Sequence, residues 1–327
     1  MKVCIYGLGA IGGHIAARLS QGGADVSVIA RAATADVIRQ NGLLVKTLDG
    51  DIHAKVTVAS DPRDLGAQDF VIVTVKAPSL PDVAAGIAPL LGPQTSVVFA
   101  MNGMPWWYFH RTSGPMAERR MPLIDPDDAI WNAVGPARAI GAIVNTACVV
   151  VEPGIIQVTN RTNRLILGEP DGNTSTRVET LASAMRTGGF NVDVTPRIRD
   201  EVWDKLVGNL CGGPLAVLAL SKAKDVYNDP VCDAAIRRLI DEVTAIATAL
   251  GCDVRSTPQS RLQAGRNLDH KPSMVQDLER GRAMEIDSMI SVPLDLAREL
   301  AVPTPTLDLM AALIKLRARA AGLYHGA

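Results

Sequence analysis

An α/β Rossmann-type N-terminal domain followed by an all-α C-terminal domain is the fold class that three features of this sequence predict. A short apolar strand at the N-terminus runs directly into Gly7-Leu-Gly-Ala-Ile-Gly12 and then into a helical run. Buried-strand patterns recur as far as residue 195, whereas from Arg197 onward the periodicity is almost wholly helical. The 327 residues also exceed the size at which one core usually keeps growing. The expected domains are 1–195, a nucleotide-binding half, and 196–327, a helical half.

Residues 2–6 read as the first buried strand, and His14 to Leu19 as the first helix. Between them the spacing of glycines assigns Gly7 to the tight turn, Gly9 to close backbone approach by a pyrophosphate and Gly12 to helix–strand packing. Leu8, Ala10 and Ile11 complete this cofactor-binding loop, whose helix N-terminus favours an anion. The motif is common by chance, but here it lies between a strand and a helix, the context that gives it meaning. The second strand, 25–30, ends in Arg31, where a carboxylate would normally hold a ribose 2'-hydroxyl. An arginine there can grip a 2'-phosphate, so the sequence prefers NADP(H) to NAD(H).

Residues 43–47 and 54–58 flank Asp49-Gly50 as a hairpin. The apolar run 69–75 is a buried strand delivering Lys76 at its carboxyl end, and the strand 95–100, after a helix over 80–91, delivers Asn102-Gly103. Both ends are places where ligands of such sheets collect, although Lys76 also reads as a solvated strand end and Asn102-Gly103 as a plain turn. Residues 104–138 form an insertion holding three of the four tryptophans, read as a lid or a subunit contact, with surface packing as the bland alternative. Strands at 140–151, 155–159 and 164–168, a helix at 176–186 and a strand at 191–195 close the first domain.

The helical half opens with a helix over 199–213. Lys205, Asn209 and Gly213 share one face at four-residue spacing, while Trp203, Leu206 and Leu210 form a packed stripe. Further helices are expected over 231–250, 276–282, 286–300 and 306–321. Ser273 reads either as a substrate contact or as a helix cap with Gln276 completing the capping box. Glu285 reads as a functional carboxylate or as an ordinary first-turn acid. A substrate is expected in the cleft between the two domains.

Composition narrows the partners. With 33 basic and 34 acidic residues and no block of like charge, nothing attracts nucleic acid or an anionic membrane. Five scattered cysteines without a C-x-x-C spacing fit a reducing compartment, and the dispersed histidines offer no metal site. No signal peptide or membrane span is evident, so a cytoplasmic protein is expected, with a homodimer as an assembly that the aromatic segment allows.

Taken in order and spacing, Gly7 to Gly12, Arg31, Val75-Lys76-Ala77, Asn102-Gly103, Trp203-x-Lys205-Leu-x-x-Asn209, Ser273-Met-x-Gln-Asp277 and Glu285-Ile-Asp287 resemble the ketopantoate reductases. These are NADPH-dependent enzymes that reduce a 2-keto acid to a 2-hydroxy acid in pantothenate biosynthesis. The resemblance implies Lys205 as general acid, Asn209 and Ser273 as substrate contacts, and Asn102 at the nicotinamide ribose and substrate. It implies Glu285 as a cofactor contact that also positions the lysine, and Ala147 as a further cofactor contact. Gly213-Pro214 departs from the family pattern, which places a second asparagine at 213, and this opens the choice of keto acid. The competing readings are a reductase of the same fold acting on another keto acid, a different dehydrogenase class, and a non-catalytic NADP-binding protein.

Overall fold

The computed structural model describes residues 1–326. By chain contacts it divides into two compact units, residues 1–101 with 105–198, and residues 102–104 with 199–326.

The first unit is built on a ten-stranded sheet. Strands β1 (Lys2–Tyr6), β2 (Asp25–Ile29), β5 (Thr57–Ala59), β6 (Gln68–Val73) and β7 (Leu91–Phe99) form its parallel part, in the order β7-β6-β1-β2-β5. Apart from the short edge strand β5 and the first residues of β7, their central residues are mainly Val, Ile and Phe buried on both faces, as parallel strands must be. Strand order reverses at β1, so the carboxyl end of β1 is the topological switch point where such sheets bind ligands. Helix α1 (Ala10–Gln21) starts there and buries Ile15, Ala16 and Leu19 in the sheet's core.

Beyond β7 the sheet becomes mixed. Strands β8 (Ala139–Glu152) and β9 (Ile155–Gly168) form a long antiparallel pair, so the two short strands expected at 155–159 and 164–168 are one. Strand β10 (Asn191–Val194), following helix α5 (Thr176–Thr187), pairs with β9. The hairpin around Asp49 consists of β3 (Leu43–Thr47) and β4 (Gly50–Ala54), tightened by the Asp49 N–H donating to Thr47 Oγ1. Its second arm therefore ends at Ala54, and the expected strand 54–58 is replaced by β5, which pairs with β2. Helices α2 (Ala32–Asn41), α3 (Leu80–Gly86) and α4 (Ala129–Val134) complete the unit.

The aromatic segment is interior rather than lid. Trp106, Trp107, Tyr108 and Phe109 are each at most 2% exposed. Trp106 meets Phe99 and Trp131 edge to face, with ring centroids 5.2 and 5.7 Å away. Trp107 lies so close to Gly141 that a Cβ there would come within 2.8 Å of the ring. Aromatic area of this size contributes most when fully desolvated, so the aromatic start of the insertion is packed inside while residues 111–120 stay largely exposed.

The second unit is helical. It contains α6 (Ile198–Ala219), α7 (Ala223–Asn228), α8 (Pro230–Ala249), α9 (Pro258–Arg266), α10 (Ser273–Glu279), α11 (Val292–Glu299) and α12 (Pro305–Ala320). Trp203, Leu206 and Leu210 are buried, as their spacing on α6 requires. Helix α6 runs on past the expected end at Gly213 and carries Pro214 inside it. Small residues let its neighbours approach: a Cβ on Gly208 would lie 2.5 Å from Arg261 Nη1, and one on Gly212 would lie 2.2 Å from the Tyr227 ring. The expected continuous helix over 286–300 is interrupted, because Asp287–Ser291 forms a π turn before α11.

Candidate active site

In the first unit the glycine loop has the steric form that its sequence calls for. Gly7 sits at φ +102°, where a Cβ would also meet Val75 Cγ1 at 2.5 Å. A Cβ on Gly12 would lie 2.2 Å from the Gly7 carbonyl oxygen and 2.4 Å from Thr74 Oγ1, so only glycine lets α1 sit this close to the β1 turn. Gly9 is different, with nothing within 4 Å of its Cβ position. It is the N-cap of α1 and supplies no side-chain cap, leaving the positive end of a twelve-residue helix beside open space. Leu8, Ala10 and Ile11 lie in this same turn, half-buried. The set fits a pyrophosphate.

Arg31 stands two residues past β2 as the N-cap of α2, exposed, and α2 likewise lacks a side-chain cap. A guanidinium beside an uncapped helix start is a suitable pair of partners for a 2'-phosphate. Lys76 follows β6 at the same end of the sheet and is half-buried. Ala147 lies in a bulge of β8, where its N–H donates to Asn160 Oδ1 at 3.2 Å and its carbonyl accepts from Thr159 Oγ1. Its backbone is thus already engaged, and its methyl group is what it has left to offer a ligand.

In the second unit, Lys205, Glu285 and Asn102 come together. Asn102 Nδ2 donates to Glu285 Oε2 at 3.2 Å. Glu285 is only 4% exposed and acts electrostatically on the Lys205 ammonium. Desolvation dominates at Lys205 and pushes its pKa down to about 8, with the Glu285 carboxylate opposing the fall. Glu285 is therefore no ordinary first-turn acid, because its carboxylate is buried and spent on an amide and an ammonium.

The backbone around this trio is fixed from several sides. Asp204, next to Lys205 on α6, and Asp200, rather more than one turn before it, accept the N–H groups of Ser256 and Asp253 at 3.1 and 3.2 Å. Arg261 bridges to Asp204 at 2.9 Å. On the Asn102 side, Gly103 takes φ +83°, and a Cβ there would stand 2.6 Å from Ser288 Oγ. The Met104 N–H donates to the Ser288 carbonyl at 2.8 Å.

Asn209 and Gly213 follow Lys205 along α6. Gly213 is buried, yet no atom lies within 4 Å of its Cβ position, so the helix borders an unfilled space there. Ser273 is exposed and occupies the first position of α10, after Pro272 at the cap. The capping box is absent, because Gln276 Nε2 donates instead to the Lys271 carbonyl. Proline 272 holds the cap position, which leaves the Ser273 hydroxyl outside that duty. Ser288 is a residue that sequence reasoning passed over, and Asp287 entered it only as part of the Glu285-Ile-Asp287 motif, without a role.

A glycine-loop nucleotide domain joined to a helical unit that carries a buried lysine, carboxylate and amide defines a nicotinamide-nucleotide-dependent oxidoreductase. The family model described as "Ketopantoate reductase PanE/ApbA" matches residues 3–108, and its C-terminal counterpart matches 197–318. Among curated proteins, the 2-dehydropantoate 2-reductase of Mesorhizobium japonicum is 42% identical over 326 residues, covering 99% of this chain and 100% of that one. A crystal structure from Ralstonia solanacearum MolK2 is 37% identical, with a TM-score of 0.91 and coverage of 98% and 99% of the two chains. The 2-dehydropantoate 2-reductase structure from Geobacter metallireducens GS-15 is 26% identical at a TM-score of 0.86, covering 97% of this chain and 99% of that one. The chain belongs to the ketopantoate reductase family, and its cofactor is NADPH.

Proposed function

We propose that this enzyme reduces 2-dehydropantoate to pantoate, with Lys205 as the general acid. The observation that carries the reading is the Lys205 ammonium, whose pKa burial brings down to about 8 while Glu285 beside it opposes the fall and favours the charged form. A donor with a pKa near the working pH is protonated at the start of the reaction and releases its proton readily. NADPH supplies the hydride. Addition of hydride to the keto carbon would leave an alkoxide, which the ammonium stabilises and then protonates. Glu285, held by the Asn102 amide, keeps the lysine charged and aimed. Asn209 and Ser273 would bind the polar ends of the substrate, and Arg31 with the Gly7–Gly12 loop would hold the nucleotide, with Lys76, Asn102 and Ala147 as further contacts.

This is the chemistry of a cytoplasmic biosynthetic enzyme. Among the described residues no helix is long and apolar enough to cross a membrane. The direct test is Lys205→Ala, assayed by NADPH oxidation with 2-dehydropantoate. Turnover should fall about 10² to 10⁴-fold, while NADPH binding, followed by its fluorescence, stays close to wild type. Undiminished turnover would remove Lys205 from the mechanism.

A further inference from the structure

The π turn Asp287–Ser291 lies just before Pro293, which has no N–H for the Met289 carbonyl and so interrupts the α-helical ladder without fixing the register that takes its place. Glu285-Ile-Asp-Ser-Met-Ile-Ser contains neither glycine nor proline, and Ile286 before it and Val292 after it have ordinary helical backbone angles. A π turn widens the backbone by one residue and is uncommon without tertiary support. If it relaxed to α-helix, Glu285 and Ser288 would rotate by roughly 100° and slide by about 1.5 Å relative to α11. Such a movement would take the carboxylate away from Asn102 and Lys205.

The support comes from the end of the chain. Asp287 Oδ1 accepts two hydrogen bonds, from Ser291 Oγ at 2.9 Å and from Tyr324 Oη at 2.7 Å. Tyr324 lies after α12 and is 8% exposed. Its ring has the Arg319 guanidinium and the Lys315 ammonium each 5.7 Å from the centroid. Arg319 also donates to the Gly326 carbonyl at 2.7 Å, which ties the tail down. Burial and the bond to Asp287 push the Tyr324 pKa up to about 12, so the phenol stays a donor. On the other side of the same turn, the Ser288 carbonyl and side chain hold Met104 and Gly103, and through them Asn102.

We propose that Tyr324 is a positioning residue: by donating to Asp287, the C-terminal tail selects the π register that keeps Glu285 and Asn102 hydrogen-bonded beside Lys205. Its kinetic consequence rests on Lys205 being the acid; its structural consequence does not. The charged groups concerned are Glu285 acting on Lys205, and Asp287, Arg319 and Lys315 around Tyr324.

The experiment compares Tyr324→Phe, Asp287→Ala and Asp287→Asn in the full-length enzyme. Tyr324→Phe removes only the donor. Hydrogen exchange in the peptide spanning 285–292 should speed up, and turnover at pH 7 should fall about tenfold, since small misplacements of catalytic groups are costly. The alkaline limb of the turnover profile should move to lower pH, because a displaced Glu285 no longer raises the Lys205 pKa. Asp287→Ala should match Tyr324→Phe, and the double variant should be no worse than either alone. Asp287→Asn keeps an acceptor oxygen and should stay close to wild type. Unchanged exchange over 285–292 in Tyr324→Phe, or a loss of thermal stability with an unmoved alkaline limb, would overturn the proposal. If Lys205→Ala kept its turnover while Tyr324→Phe still opened the π turn, the acid assignment would fall and the grip of the tail would stand.

Discussion

Replacing Lys205 with methionine should abolish most activity and yet make the protein more stable. In the unfolded chain this lysine has its ordinary pKa of 10.5, and in the folded protein it stands at about 8. At about 1.36 kcal/mol per pKa unit, carrying the charge in the folded state costs about 3 kcal/mol at pH 7, to the nearest kcal/mol or so. The attraction of Glu285 is already contained in that figure, since it opposes the fall. Methionine has nearly the length and volume of the lysine stem, and it removes the charge without opening a cavity. A gain of this size should raise Tm by about 5 to 10 °C.

The pH dependence makes the test specific. The folded pKa is depressed, so the folded state binds fewer protons than the unfolded chain between about 8 and 10.5. The penalty in the wild type is complete below pH 8 and fades as pH rises towards 10.5. Thermal melts of both proteins from pH 7 to 10.5 should therefore show a stability advantage of Lys205→Met that shrinks over that range. An advantage that is absent at pH 7, or that does not change with pH, would refute the reasoning.

Turnover in the reductive direction should decline as pH rises through about 8, and oxidation of the hydroxy acid should gain over the same range; initial rates in both directions decide this. Gly9→Ala should leave the melting temperature of the free protein within a degree or two and weaken NADPH binding, because its Cβ meets no protein atom. Gly12→Ala should destabilise the free protein as well, its Cβ being driven against the Gly7 carbonyl oxygen. Arg31→Ala should raise the Michaelis constant for NADPH roughly tenfold or more and leave that for NADH alone, the loss expected of a charged hydrogen bond. Gly213→Asn, placed where the helix has room for a side chain, should raise activity on 2-dehydropantoate relative to other keto acids; an unchanged ratio would dismiss Gly213 as a specificity position.

The sequence was most legible where one residue type has one physical use. Gly7, Gly9 and Gly12 announce their turn because no other side chain fits it, and Trp203, Leu206 and Leu210 announce a buried face by spacing alone. It was less legible where tertiary contacts overrule local pattern. Thr57–Ala59 looks like half of a hairpin and instead pairs with β2, since sheet partners are chosen by distant strands. The Trp106–Phe109 cluster looked like a lid because aromatic-rich insertions often lie at surfaces, and Gly141 gives no hint in sequence that it makes room for Trp107. Ser273 looked like a cap, but Pro272 takes that position by its fixed backbone angle. Pro293 marks a break in the last helix but not its form, because the tyrosine that holds the π turn lies 37 positions beyond Asp287.

The segment Asn102–Met104 bears on how this family could be recombined. Those three residues continue from β7, yet they pack with the helical unit, with Gly103 and Met104 seated on Ser288. A chimera that borrows its nucleotide-binding half from a relative would do best to switch donors on both sides of this tripeptide, inheriting 102–104 together with 199–327. A crossover that imported a foreign tripeptide would break a fitted contact at the carboxylate end of the site while leaving every strand of the sheet intact.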